Sequence, residues 1–396
     1  MRGKERRTSG RASGCSRREH CTSISVRGRE LSFVKRAVLN SSIMEVIIMC
    51  RRTVSILLVL VFLVAGTFPV FATTEQAVVD AMEKIPVKVL ILPKFEVGDL
   101  CGDFPGEAQY YYERYLDGAE SYEIPGGTEG SSLYVKDGVA LYLLGMGKVG
   151  SALSTMAILS DERFDFSQAY ILSTGCAGSS AGSSVMGDVF VITEVVDYDL
   201  GHHADNREMT DSSSPTWFRD PDFDPAAVIR LNPDLMEKIY ALVENLPMET
   251  TERTRNYMSA AFDGAEWDVR DPMVLRGTSV TGDNYWKGEY DHINALQMIE
   301  TYECADPYAT AEMEDIGVCT AVKRMGILDY LIILRDSVNM DVFLLGATPE
   351  SLWSLGEAMS LATEDNVEAA DIFATAMKNN YVVGSTIIDA ILAGRF

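Results

Sequence analysis

From Ala309 to Asp341 the chain reads ATAEMEDIGVCTAVKRMGILDYLIILRDSVNMD. Thr310 to Arg324 has helical spacing that puts Ile316, Cys319, Val322 and Met325 on one buried face. Leu328 to Leu334 is an apolar run of the length expected for a strand covered on both faces. Arg335, Asp336, Ser337, Asn339 and Asp341 then gather where that strand is predicted to end. Open α/β sheets bind ligands outside the carboxyl ends of their strands, so chemistry is expected here. Glu312-Met313-Glu314 opens the predicted helix and has two readings. The acids complement the helix dipole, or a carboxylate grips vicinal hydroxyls while Met313 lies against a sugar face. This stretch alone leaves both open.

Strands and helices alternate on either side of it. Val87 to Leu92 reads as a strand, followed by a polar loop and a short helix near Ala108–Leu116. Leu133–Val135 and Val139–Leu144 form a predicted hairpin turned at Lys136-Asp137-Gly138. Lys148–Leu159 is a predicted helix, and Ala169–Leu172 a buried strand opening into a Thr174-Gly-Cys-Ala-Gly loop. Val189–Glu194 and Arg276–Thr281 are further strands. Asn232–Leu246, Pro349–Ala362 and Val367–Asn379 are expected helices, and Val382–Leu392 closes the chain. With no repeat and no linker, this is one α/β domain over residues 85–396.

The charge is unevenly placed. Residues 1–52 carry 13 of the 34 basic and 4 of the 58 acidic residues, so the body of the chain is strongly acidic. Such a body repels nucleic acid and anionic membrane, and neither is expected as a partner. Residues 1–48 are basic and without period, an extension expected to be disordered or untranslated, with Met44 or Met49 as the start. Residues 49–72 have a basic start, an apolar centre from Val54 to Ala65 and small residues up to Ala72. That is the pattern of a secretory signal peptide. Export to a periplasmic or extracellular location is the expectation, with membrane contact limited to this signal. No segment offers the ~20 apolar residues of a spanning helix, so a multi-span pore is excluded. In an exported chain a disulfide is permitted, and Cys304–Cys319 is the candidate pair. No spacing suggests a metal site.

Gly145-Met-Gly-Lys-Val-Gly150 fits the dinucleotide fingerprint. The fingerprint also wants an acid at the end of the next strand, and that strand ends at Ser173-Thr174-Gly175. A nicotinamide cofactor is therefore not expected, and no other cofactor is. A tight turn, or a cradle for an anion or sugar hydroxyls at the helix start, is the better account.

Several stretches together resemble the nucleoside phosphorylase and nucleosidase superfamily. They are GMGKVGSALSTMAIL, STGCAGSSAGSSVMGDVFVITE, TGDNYW and EME, in that order. With VVDYDLGHH and LRDSVNMD, the chain looks most like the purine nucleoside permease group. The resemblance implies a three-layer, nucleoside phosphorylase-like fold with a mixed central sheet flanked by helices. It implies a purine nucleoside as ligand, with homo-oligomers common among similar proteins. Carried over by residue, Tyr285 stacks on the base, Met313 packs under the sugar, Glu314 accepts from the ribose hydroxyls and Glu312 frames the pocket. Gly175 and Cys176 belong to the central loop, and His202 or its neighbour His203 reaches the 5′ end. Asn339 stands where many members place the acid that protonates N7; an amide donates a hydrogen bond to the base but no proton, and Asp336 and Asp341 are the alternates.

The resemblance further implies N-glycosidic bond cleavage. Ser173 and Cys176 replace the Arg and Ser that hold phosphate in similar phosphorylases, with Lys148 or Arg335 as possible substitutes. Water is thus the expected acceptor and phosphate the second. Glu96 is the expected water-activating base, with Asp99 as its alternate. The competing expectation is a non-catalytic nucleoside-binding component of uptake.

Overall fold

A computed structural model describes residues 83–180, 182–211, 213–261, 270–343 and 367–396. All belong to one unit, Met82–Phe396. The basic extension, the signal-like segment and the helix expected over Pro349–Ala362 lie outside the described residues.

Ten strands make one sheet: β1 (Val89–Leu92), β2 (Glu120–Glu123), β3 (Ser132–Lys136), β4 (Val139–Leu141), β5 (Tyr170–Ser179), β6 (Val189–Asp197), β7 (Val228–Arg230), β8 (Val274–Thr281), β9 (Tyr308–Glu312) and β10 (Leu331–Met340). Their order is β7-β6-β8-β9-β5-β1-β4-β3-β2, and β10 joins both β5 and β6. β10 runs parallel to β5 and antiparallel to β6, so the sheet is mixed. At its far end β5 turns to pair Gly178 and Ser179 with Ala311 and Thr310 of β9. The strands β5-β10-β6-β8-β9 therefore close on themselves, which leaves no free edge among them. β1 and β6 are buried along their whole length, as strands covered on both faces must be.

The longer helices among the described residues are α1 (Gln109–Tyr115), α2 (Lys148–Leu159), α3 (Pro233–Val243), α4 (Glu252–Ala261), α5 (Glu289–Thr301), α6 (Asp315–Arg324) and α7 (Val367–Leu392). α7 lies on β10 and β5, with α1, α3 and α4 against it, while α2 packs on α6. Neighbouring residues of a strand point to opposite faces. Arg335 reaches Asp315 of α6 and Asp336 reaches Asn380 of α7, so these helices cover opposite faces of β10. This is the mixed α/β sheet flanked by helices that the sequence implies.

Three expectations about elements change. The helix expected from Thr310 begins only at Asp315, because Tyr308–Glu312 is a strand. Its small residues Ala309 to Ala311 suit a strand buried between β8 and β5 as well as a helix. The strand expected to end at Leu334 starts at Leu331, after a short 3-10 turn over Leu328–Tyr330, and continues to Met340. Arg335 and Asp336 remain within it because each finds a buried partner. The loop expected after Leu172 is strand as far as Ser179.

The glycines in β5 serve close approach. A Cβ on Gly175 would lie 2.7 Å from Oε1 of Glu107, and one on Gly178 would lie 2.8 Å from Oδ1 of Asn339. Cys101, Cys176, Cys304 and Cys319 are all free thiols. Cys319 sits in the main core and Cys304 beside a separate apolar cluster, so the permitted pairing does not form.

Candidate functional site

A cavity of about 290 Å³ opens where β9 and β10 end. Such a volume is near the lower end of the ~300–1,000 Å³ usual for small-molecule sites. Glu312, Met313 and Glu314 line one part of it, at the junction of β9 and α6, together with Arg335. Lys94, Phe95 and Glu107 enter from the loop after β1. Tyr285, Lys287, Asn339 and Asp341 line the other end, and Cys176 and Met146 also face it.

Arg335 organises the first end. Its Nε lies 2.8 Å from Oδ2 of Asp315, and its Nη2 lies 2.9 Å from Oε2 of Glu312 and 3.2 Å from Oε2 of Glu314. All four side chains are buried, so the charges must satisfy one another. Glu312 also accepts from Thr281 Oγ1 and from the backbone N–H groups of Glu314 and Asp315. Burial, then the neighbouring Asp315 carboxylate, push the Glu312 carboxyl up to about 7. Burial alone would raise Asp315 too, but Arg335 and Lys94 outweigh it and hold that carboxyl below its ordinary value.

Glu107 and Lys94 form the second element. Oε2 of Glu107 accepts from the backbone N–H of Lys94 at 2.7 Å, and Oε1 from that of Cys176 at 2.9 Å. Burial raises the Glu107 carboxyl despite Lys94 and Arg335 nearby. Lys94 donates to Leu92 O, Ser173 Oγ and Thr174 O, which turns its ammonium toward the sheet.

At the other end Asn339 donates through Nδ2 to the Tyr285 hydroxyl at 2.6 Å. Tyr285 is 55% exposed as a residue, and desolvation of its hydroxyl pushes that group up to about 12. Asp341 is buried, with Oδ2 lying 2.7 Å from both Nδ1 of His292 and the Tyr308 hydroxyl.

Of the residues singled out from sequence, Tyr285, Glu312, Met313, Glu314, Cys176 and Asn339 share this cavity. Gly175 lies just behind it, against Glu107. Others are elsewhere. Glu96 spends its carboxylate on the backbone N–H groups of Val97, Gly106, Ala108 and Gln109, which orders the loop ahead of α1. Asp336 faces α7, where Asn380 donates to it at 2.7 Å. His202 is exposed and lies 3.0 Å from Asp220. Asp99 also lies in the loop, its N–H bonded to Asp103. Lys148 is bound to Asp197 and Asp199. The glycine turn before α2 holds the chain's own acids: Gly147 N–H bonds Glu314 Oε1 at 3.1 Å and Lys148 N–H bonds Asp283 Oδ1 at 2.8 Å.

A family model described as purine nucleoside permease matches residues 86–395. The chain belongs to the purine nucleoside permease family. A probable purine nucleoside permease of Schizosaccharomyces pombe is 25% identical over 279 residues, covering 63% of this chain and 74% of the relative. A 5′-methylthioadenosine/S-adenosylhomocysteine nucleosidase of Maridesulfovibrio salexigens is 38% identical over 71 residues, which cover 18% of this chain and 29% of that protein. Among solved structures, futalosine hydrolase of Helicobacter pylori aligns with a TM-score of 0.47 at 15% identity, covering 76% of this chain and 97% of its own. An adenine complex of the Colwellia psychrerythraea methylthioadenosine/S-adenosylhomocysteine nucleosidase aligns with a TM-score of 0.43 at 19% identity, covering 76% and 98%.

This permease-family chain has no helix among its described residues long and apolar enough to cross a membrane. None of their His, Cys, Asp and Glu clusters could hold a metal ion. Three charged cavity residues were missed in sequence, Lys94, Glu107 and Lys287. Glu107 lies eleven positions past Glu96 in the same polar loop, and only the fold-back of that loop brings it to Cys176. Lys287 follows Tyr285 by two residues, a spacing that marks it as a neighbour of the expected base contact.

Proposed function

We propose that this chain binds a purine nucleoside in the cavity and hydrolyses its N-glycosidic bond. The supporting observation is that Tyr285, Met313, Glu314 and Asn339, spread over the last third of the chain, line a single cavity. Met313 and Glu314 take the ribose, with the carboxylate accepting from its hydroxyls. Tyr285 and Asn339 take the base, as aromatic face and amide contact. The family name and the fission-yeast relative favour a nucleoside over other small ligands.

Bond cleavage develops positive charge on the ribosyl ring, and preorganised carboxylates stabilise it. Glu107, Glu312 and Glu314 stand on that side of the cavity. Glu107 is the base that takes a proton from water. Phosphate is disfavoured as acceptor because Arg335 is consumed by Glu312, Glu314 and Asp315, and Lys94 is turned toward the sheet. A dianion would then meet more carboxylates than available cations.

Incubation of the purified chain with inosine, with and without phosphate, tests the reading. Hypoxanthine released without phosphate supports it. Release only with phosphate assigns phosphorolysis instead. Binding without release leaves a nucleoside-binding component of uptake, a reading that the amide at Asn339 favours. The signal-like residues 49–72 support an exported, periplasmic or extracellular location, which amino-terminal sequencing of the mature chain checks.

A further inference from the structure

The cavity holds three cations, and they are not equivalent. Arg335 is ion-paired to Glu312, Glu314 and Asp315, and Lys94 lies 3.9 Å from Asp315. Lys287 has neither ion pair nor hydrogen bond among the described residues. It lines the end of the cavity shared by Tyr285, Asn339 and Asp341, away from the carboxylate cluster around Arg335. Asp341 is the acid whose charge it feels, and that acid is already engaged with His292 and Tyr308. Burial lowers the Lys287 ammonium below its ordinary value, which makes it a better proton donor.

The chemistry asks for such a donor at this end. A departing purine carries the electron pair of the broken bond and leaves more readily when it is protonated. Asn339 can donate a hydrogen bond but has no proton to give. The Tyr285 hydroxyl is pushed the wrong way for an acid, up to about 12.

We propose that Lys287 is the general acid for the leaving base. The inference rests on the hydrolytic reading above. As the C1′–N9 bond breaks, its electron pair moves onto the purine, and the Lys287 ammonium passes a proton to the base. Water adds to C1′ and gives up its proton to Glu107. Nucleoside and water become ribose and free purine, and solvent returns the proton from Glu107 to Lys287.

The test compares inosine with p-nitrophenyl β-D-ribofuranoside, whose nitrophenolate departs without a proton. Lys287→Met should lose about 100-fold or more of its rate on inosine, the scale of general acid catalysis, and keep the arylriboside rate within a few fold. Lys287→Arg should behave like Lys287→Met, since guanidinium keeps the charge but does not release its proton. Equal loss on both substrates, no loss on either, or recovery of inosine cleavage in Lys287→Arg would each overturn the acid role. A wild-type chain that cleaves neither substrate sinks the hydrolytic reading itself, and the acid with it.

Discussion

Arg335 and Asp315 meet as a two-pronged pair, Nε to Oδ2 at 2.8 Å and Nη2 to Oδ1 at 2.9 Å, with both side chains buried. The pair ties β10 to the first turn of α6, and so fixes the sheet against the helix that presents Glu314. Removing Arg335 leaves Asp315, Glu312 and Glu314 buried without their shared cation, a loss of about 3–5 kcal/mol, whereas removing Asp315 leaves Arg335 paired with Glu312 and Glu314 and costs less. Arg335→Met and Asp315→Asn should each lower the urea midpoint accordingly. Midpoints unchanged from wild type would show that the pair is dispensable.

Glu314→Gln probes the sugar. Charge-assisted hydrogen bonds contribute about 1.5–3 kcal/mol, roughly 10- to 150-fold. The variant should lose that much kcat/KM on inosine. On 2′-deoxyinosine, which lacks one of the hydroxyls, the loss should be smaller. An identical loss on both substrates would remove Glu314 from the 2′-hydroxyl.

Strand ends were the most legible parts of this chain. Tyr285, Met313 and Asn339 sit in or beside segments whose periodicity changes, and a ligand site in an α/β sheet is expected there. Facing was harder to read. Charged Arg335 and Asp336 read as the end of the apolar strand; continued as a strand, they point to opposite faces. Glu96 and Glu107 posed a different difficulty. Both are acids of one polar loop, and what separates them is tertiary: Glu96 caps its own loop, whereas Glu107 reaches the backbone of β5.

The raised Glu312 carboxyl gives a pH signature. Its folded value of about 7 stands above the ordinary 4.5, so between these the unfolded chain releases a proton that the folded chain keeps. Stability from this group is therefore fully present below about pH 4.5 and declines as pH rises through 7, by on the order of 3 kcal/mol. Asp315 has the opposite sign, since its depressed carboxyl adds stability above its ordinary 3.8 that is lost on acidification. Urea midpoints from pH 5 to 8 should fall more steeply for wild type than for Glu312→Gln. Parallel slopes would place the Glu312 titration elsewhere.

We propose that the apolar stripe on α2 is covered by a second copy of this chain. Val149 and Leu153, four residues apart on that helix, are 68% and 61% exposed, and Met146 just before it is 69% exposed at the cavity rim. Neighbouring positions on a helix that leave this much apolar surface open mark an interaction surface. A second copy packed there would border the cavity. Light scattering should find a dimer or larger ring that Val149→Lys with Leu153→Lys reduces toward monomer. A wild-type monomer at all concentrations would discard the idea.

Glu107→Gln separates hydrolysis from binding. The amide keeps the size of the side chain and can still accept one of the two backbone hydrogen bonds, from Lys94 or from Cys176. It cannot take a proton from water. General base catalysis contributes about 10²–10⁴-fold, so kcat on inosine should fall by that factor while nucleoside affinity changes little. The carboxyl is raised by burial, so the wild-type rate should also decline on the acid side as Glu107 is protonated, and this limb should vanish in the variant. A variant of unchanged kcat would take the base away from Glu107. One that loses affinity and kcat together would make its role the holding of Lys94 and Cys176 in place, because both backbone contacts pass through the same carboxylate.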